Sequence, residues 1–129
     1  MQLTVSTNSH SQAVDITEDI NNALVDLHSG SSGVHLWVPH TTAGITVNES
    51  NDPAVMSDLI DQLESVVPWD GSYDHAEGNA AAHIKSILLG SHQWVPVSDG
   101  TLDLGRWQGV FLLEWDGPRE RTVQVKSAQ

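Results

Sequence analysis

The chain contains no cysteine among its 129 residues. This absence excludes disulfides, thiolate nucleophiles and cysteine-ligated zinc, and it leaves histidine, aspartate and glutamate as the strong side-chain ligands for a metal. Long apolar runs are missing too, since no stretch of 18 apolar residues occurs, which excludes a membrane-spanning helix. Residues Met1 to Val5 show neither the basic leader nor the apolar segment of a secretory signal. We therefore expect a cytoplasmic protein.

Basic residues are scarce: five Lys and Arg stand against 17 Asp and Glu, giving a formal net charge of −12. All five basic residues lie from position 85 onward. An acidic surface repels phosphate backbones, so a nucleic-acid binder is not expected. The acidity is explained either by solubility or by attraction of metal ions or a cationic heterocycle. An anionic substrate group would have few basic residues to bind, so each Lys and Arg is a candidate for contacting it.

The hydrophobic pattern predicts one compact α+β domain over residues 1–129, with more strands than helices. At this length a core can form without a disulfide or a metal. Three helices are predicted: from Glu18, capped by Thr17 and ending near His28; from Asp52-Pro53 to Val67; and from Asn79 to Leu89, closed by Gly90. Strands are predicted at Leu3–Thr7, Val34–Val38, Ile45–Glu49, Trp94–Val97, Leu102–Leu104, Trp107–Trp115 and Thr122–Lys126. We expect a mixed or antiparallel sheet.

Seven histidines are present, and four of them have ordinary explanations. His10, His28 and His92 stand alone in polar contexts and are interpreted as surface residues. His35 lies in a strand whose apolar neighbours point to the other face, which favours a partly exposed structural role.

The other three histidines, His40, His75 and His83, each lie where an apolar element gives way to small polar residues. One follows a strand, one is in a loop and one is on a helix, so their imidazoles could converge on a single ion. Three histidines with one open position are the composition of a catalytic zinc site. The spacing alone leaves three alternatives open: metal binding, acid–base or anion contact, and satisfied structural histidines.

Polar residues beside these histidines extend the candidate site. Thr41 and Thr42 follow His40 directly, and Asn79 precedes His83 by four residues, so both project from one helix face. Glu49 ends a predicted strand and has no local structural explanation, whereas Asp52 is most simply a helix cap.

Arg119 follows a Gly-Pro turn that fixes the backbone, which suits bidentate contact with phosphate or carboxylate. A surface salt bridge with Glu114, Asp116 or Glu120 explains it equally well. No phosphate-binding glycine loop and no serine-nucleophile motif is present.

Taken together, these motifs resemble the YjbQ family, also called the secondary thiamine-phosphate synthase family. The resemblance covers roughly residues 30 to 125. It rests on His40-Thr41-Thr42-Ala43, Glu49, Asp52, His75, Gly78-Asn79, His83, Leu89-Gly90-Ser91, Pro96-Val97, Gly100, Leu102, Leu104-Gly105, Trp107-Gln108 and Asp116-Gly117-Pro118-Arg119.

The resemblance implies a compact α+β fold, a homotrimer and a polar site containing the motif histidines. It also implies an activity, which is to join a hydroxymethylpyrimidine diphosphate to a thiazole phosphate, giving thiamine phosphate and pyrophosphate as a side activity.

On this basis we expect catalytic roles for His40, Glu49 and His83, with Glu49 as base or orienting carboxylate. Substrate contacts are expected from Thr41, Thr42, Asn79 and Arg119. A divalent ion, zinc or magnesium, is expected on His40, His75 and His83, although the same imidazoles could instead hold the anionic group of a small phosphorylated substrate. The alternatives are a non-catalytic protein that binds a phosphorylated metabolite or a divalent metal, and a purely structural trimer.

Overall fold

Two antiparallel sheets and three helices form the domain in the computed structural model, which describes residues 1–27 and 31–128. The strands are β1 (Gln2–Ser6), β2 (Gln12–Asp15), β3 (Gly33–Trp37), β4 (Ala43–Glu49), β5 (His92–Ser98), β6 (Thr101–Leu102), β7 (Gln108–Glu114) and β8 (Glu120–Ala128). The helices are α1 (Thr17–Leu24), α2 (Ala54–Val66) and α3 (Ala80–Leu89). The predicted strand-rich α+β domain is confirmed, and its sheets are antiparallel.

The two sheets pack face to face around the larger core. One sheet has the order β1-β8-β3-β5-β6 and the other the order β2-β7-β4. Alternate residues of each strand point to this core because side chains along a strand alternate between faces. Its buried members include Leu36 and Val125 from the first sheet and Ile45 and Leu112 from the second.

The helices α2 and α3 cover the opposite face of the three-stranded sheet. There Phe111 and Leu113 of β7 pack with Met56 of α2 and Ala82 of α3. Strand β7 is therefore apolar on both faces, and this explains why its sequence reads as a continuous hydrophobic run. The outer face of the five-stranded sheet has no such cover from the described residues.

The first helix begins one residue earlier than predicted, because Thr17 is helical and does not act as its cap. The Thr17 hydroxyl donates to Oδ1 of Asp15 at 2.6 Å and accepts from the amide of Val110 at 2.9 Å. Its predicted end at His28 lies outside the described residues. Strand β2 was not predicted at all, because Gln12–Asp15 lacks an apolar alternation and lies at the edge of its sheet.

The second and third helices lie close to their predicted bounds. Oδ1 of Asp52 accepts a hydrogen bond from the amide of Ala54 at 2.9 Å, so this residue caps α2 as expected. Val66, the last residue of α2, is 71% exposed. Gly90 ends α3 with a φ of 88°, a left-handed conformation that favours glycine.

Candidate functional site

A shallow pocket of about 320 Å³ lies where α3 ends beside the start of β4. Two of the predicted histidines, His40 and His83, are on its walls together with Thr41. The remaining lining residues are Ala43, Ser86, Ile87, Gly90 and Ser91. The segment after β3 therefore meets the face of α3, and histidines distant in sequence are brought to one hollow.

Two backbone segments are in close contact beside this pocket. The amide of Ile45 donates to the carbonyl oxygen of Gly90 at 3.1 Å. A Cβ atom on Gly44 would lie 2.6 Å from the same oxygen, closer than side-chain carbons come to backbone atoms. Glycine at position 44 thus permits α3 to end directly against β4.

His40 is held by the backbone of β8. Its Nε2 atom accepts a hydrogen bond from the amide of Thr122 at 2.9 Å, so in the neutral ring the proton is on Nδ1. Burial and the positive charge of Arg121 lower the pKa of His40 below 6.5, with a smaller contribution from Arg119, while Glu114 acts in the opposite direction. The ring is therefore neutral near pH 7 and can donate a hydrogen bond through Nδ1.

A buried ion pair lies behind His40. The guanidinium of Arg121 and the carboxylate of Glu114 are almost fully buried and form a two-point contact, with Nε of the arginine 2.9 Å from Oε1. Burial raises the pKa of Glu114. Hydrogen bonds from Arg121, the Asp116 amide and Thr7 lower it by more than burial raises it, so the net pKa lies below its usual value and the group stays ionised. The Thr42 hydroxyl also accepts from Arg121, at 2.8 Å.

The predicted substrate contact Thr42 consequently belongs to this buried network, whereas its neighbour Thr41 is exposed on the pocket wall. Thr42 is 5% exposed and its hydroxyl accepts from Arg121, so it stabilises the site from behind the pocket wall.

His83, which lines the pocket, contacts His75 of the preceding loop. Their ring centroids are 5.0 Å apart in an edge-to-face arrangement. His75 is exposed in the loop before α3, and His83 is half-buried on the first turns of the helix. These two imidazoles and His40 come from the three separate elements that the sequence indicated.

Arg119, Asp116 and Asn79 form a second polar group. A terminal nitrogen of Arg119 is 3.2 Å from Oδ2 of Asp116, and the Asn79 amide donates to that same oxygen at 3.0 Å. Within the described residues Oδ1 of Asn79 is buried and accepts no hydrogen bond. The sequence had indicated Asp116 only as a turn residue or salt-bridge partner; its role in linking Asn79 to Arg119 has no signal in the spacing.

Glu49 lies at a different place from the histidines. It is at the far end of β4, opposite Gln108 of β7, and it lines a separate cleft together with Asp15 and Asp61. It is the last of the seven residues of β4, whereas His40 precedes the first. Within one chain the structure therefore does not bring Glu49 to His40.

The described residues also contain no group of three or more His, Asp or Glu that could hold one metal ion. Nε2 of His40 is already used by the Thr122 amide. The predicted set of His40, His75 and His83 is thus not assembled as a three-histidine site within the described part of the chain. Among these residues no helix is long and apolar enough to cross a membrane.

Comparison with known proteins agrees with this fold. The structure superposes with a TM-score of 0.94 on an uncharacterized conserved protein of the YjbQ/UPF0047 family from Clostridium acetobutylicum, with 42% identity over 98% of both chains. A conserved hypothetical protein from Thermus thermophilus gives a TM-score of 0.92 at 43% identity, again over 98% of each chain. The fold is thus that of the YjbQ-like structures.

Sequence comparison gives the same relationship. The chain is 42% identical to the UPF0047 protein YugU of Bacillus subtilis over 125 residues, which are 96% of this chain and 95% of YugU. It is 44% identical to a UPF0047 protein of Methanocaldococcus jannaschii over 95% of this chain and 88% of the relative. The family model described as UPF0047 protein YjbQ-like matches residues 1–129. The chain belongs to the YjbQ/UPF0047 family.

Proposed function

We propose that the protein is a transferase of low turnover that joins hydroxymethylpyrimidine diphosphate to thiazole phosphate. The observation that carries this proposal is the pocket in which His40, Thr41 and His83 converge beside His75. The motifs that resemble the secondary thiamine-phosphate synthases supply the reaction. We further propose that the protein acts in the cytoplasm.

The reaction forms a carbon–nitrogen bond and breaks a carbon–oxygen bond. The thiazole nitrogen attacks the methylene carbon of the pyrimidine, and diphosphate leaves with the bonding electron pair. Such a leaving group needs positive charge or hydrogen-bond donors at the point where its negative charge develops. In this proposal His40 donates through Nδ1, Thr41 through its hydroxyl, and Arg119 supplies the positive charge.

The local charge balance explains why the activity would be slow. Arg119 is already paired with Asp116, and Arg121 is buried against Glu114. Both cations are therefore largely neutralised by carboxylates before a substrate arrives. A zinc or magnesium ion would add charge, and it remains a prediction for which His75 and His83 are the two adjacent side-chain ligands.

The homotrimer is also a proposal. Ile87, which is 80% exposed, lies on the pocket wall, and its neighbour Leu88 is 59% exposed. Apolar side chains exposed on α3 beside a polar site are typical of a subunit interface. In a trimer this interface could bring Arg119 or Glu49 of one subunit to the histidines of another.

The test is to incubate the purified protein with both substrates and to measure thiamine phosphate and pyrophosphate, together with bound metal. We expect product from the wild type and a loss of about a hundredfold or more in kcat/KM for His83→Ala and His40→Ala. Arg119→Lys should also lose activity, because Lys cannot make a bidentate contact. His10→Ala, on the exposed surface, is the control. Equal turnover and equal metal in wild type and His83→Ala would contradict the proposal.

A second function is favoured by the same scarcity of free cations. With its basic groups paired to carboxylates, the site supplies little positive charge to stabilise a leaving diphosphate, so a protein that only binds a phosphorylated metabolite or a divalent metal is the second candidate. This binding protein predicts a raised melting temperature with pyrophosphate or metal, and no product from any substrate pair. A structural trimer predicts neither effect.

A further inference from the structure

Two histidines meet on the outer face of the five-stranded sheet, which no described helix covers, away from the pocket. His35 of β3 is opposite Trp94 of β5, and His92 of β5 is opposite Trp37 of β3, so the two histidines are diagonal neighbours on adjacent strands. Their rings stack with centroids 5.1 Å apart and an interplanar angle of 22°. All four side chains are exposed.

The two imidazoles point ring nitrogens at each other. Nδ1 of His35 is 2.9 Å from Nε2 of His92. In this arrangement one nitrogen carries a proton and the other offers its lone pair. Within the described residues neither ring has another hydrogen-bond partner among protein side chains, so these nitrogens are not committed to any other group.

The separation of these nitrogens nearly matches that of two ligands on one ion. At the usual zinc–nitrogen distance and a tetrahedral angle, two histidine nitrogens are about 3.3 Å apart. Opening the pair by a few tenths of an ångström would admit an ion. The strands of an antiparallel pair already hold the two Cα atoms, so little backbone freedom would be lost on binding.

We propose that His35 and His92 form a two-histidine site for a borderline transition-metal ion such as Cu²⁺, Ni²⁺ or Zn²⁺. Imidazole suits these ions, and among them Cu²⁺ binds such ligands most tightly. Each ring presents one lone pair to the ion and carries its proton on the nitrogen that faces away. Water completes the coordination. The net charge of −12 raises the local concentration of cations around the chain.

The positive charge of one neighbouring residue disfavours a bound cation, so changing that residue should change the metal affinity. Strand β8 pairs with the edge of β3 that does not face β5, and there Lys126 is directly opposite His35. The ammonium of Lys126 therefore lies on the same face of the sheet as the two histidines. Cross-strand neighbours have Cβ atoms about 5 Å apart. A carboxylate at position 126 would be within reach of an ion bound by His35.

The experiment titrates Cu²⁺ into the full chain carrying His83→Ala, which removes the contact between His75 and His83 and with it the competing histidine pair. Binding is followed by tryptophan fluorescence, since Trp37 and Trp94 flank the site, and by electron paramagnetic resonance. We expect one ion per chain with two coordinated nitrogens and quenched fluorescence. Adding His35→Asn or His92→Asn should each weaken binding by tenfold or more, and His10→Asn should not.

A gain-of-affinity variant complements these losses. Lys126→Glu should tighten Cu²⁺ binding by about tenfold or more, whereas Lys126→Gln, which removes only the positive charge, should tighten it less. Circular dichroism checks that every variant is folded. His35, His92 and Lys126 are exposed, so their substitution should leave the core intact. Equal affinity in the parent and both histidine variants, or a loss in only one of them, would overturn the shared site.

Discussion

Nε2 of His40 accepts a hydrogen bond from the backbone amide of Thr122, and this contact joins the segment after β3 to strand β8. The ring is thereby fixed with Nδ1 as its donor. Behind it, Arg121 adds a positive charge that disfavours the imidazolium form. The same environment that prepares His40 for hydrogen-bond donation also connects its protonation to folding.

The pH dependence of stability should show this connection. Because the pKa of His40 is lowered from 6.5 in the folded protein, the unfolded chain binds its proton more readily. The contribution of His40 to the free energy of unfolding is therefore fully present above pH 6.5 and is lost as the pH decreases through its lowered pKa. In His40→Gln this part of the decrease should be absent.

Urea unfolding at a series of pH values checks this prediction. The losses from Glu114 and Glu64, whose pKa values lie below 4.5, occur in a more acidic range and should remain in the variant. Identical pH profiles for wild type and His40→Gln would contradict the assignment.

The buried pair of Arg121 and Glu114 should be sensitive to removal of one partner. Arg121→Met leaves an ionised, almost fully buried carboxylate unpaired, which typically costs about 3–5 kcal/mol of the free energy of unfolding. Changing Glu114→Gln in addition should recover part of this loss. Chemical denaturation measures both variants.

Arg119→Met is the matched control, because that side chain is 49% exposed in its pair with Asp116. We expect it to cost about 1 kcal/mol or less. If the two arginine variants lost equal stability, burial would not be the cause.

The pair of Lys85 and Glu64 should respond asymmetrically. Nζ of the lysine is 2.9 Å from Oε1 of the glutamate, but the lysine side chain is 2% exposed and the glutamate side chain 49%. Glu64→Ala leaves a buried ammonium without its acceptor and should cost about 1–3 kcal/mol. Lys85→Met leaves only a carboxylate that water can reach, so it should cost less. Thermal unfolding of the two variants ranks them, and the reverse order would refute this account.

Gly44→Ala should destabilise the contact between β4 and the end of α3. The added Cβ would meet the Gly90 carbonyl oxygen at 2.6 Å, and backbone must shift to relieve it. Overpacking of this kind costs about 1–3 kcal/mol. Gly105→Ala is the control, since its nearest neighbour would be the flexible side chain of Gln108 at 3.2 Å. Comparable melting temperatures for the two variants would contradict the steric explanation.

The sequence predicted the elements whose pattern is local. Helices α2 and α3 have caps and breakers at their ends, such as Asp52 and Gly90, and both lie near their expected bounds. Strand β2 was missed because an edge strand of four half-polar residues depends on its pairing with β7. That pairing is a tertiary contact, which no local pattern reveals.

The candidate site was also predictable where it depends on local pattern and not where it depends on tertiary contacts. Each histidine was found because it lies where an apolar element gives way to small polar residues, and the fold does bring His40 and His83 to one pocket. Glu49 was grouped with them because it has no local structural explanation and belongs to the motifs of the family resemblance, but a strand extends about 3.3 Å per residue and places it at the other end of β4. The hydrogen bond from Thr122 joins segments too distant in sequence to be inferred.

Strand β7 lies between two apolar layers, the core of the paired sheets and the packing of α2 and α3. Its amides are hydrogen-bonded to β2 on one side and β4 on the other. Deuterium can replace these amide protons only when both layers separate. Isotope uptake by β7 consequently measures the opening of the entire molecule, whereas uptake in β6 at the sheet edge measures local fraying.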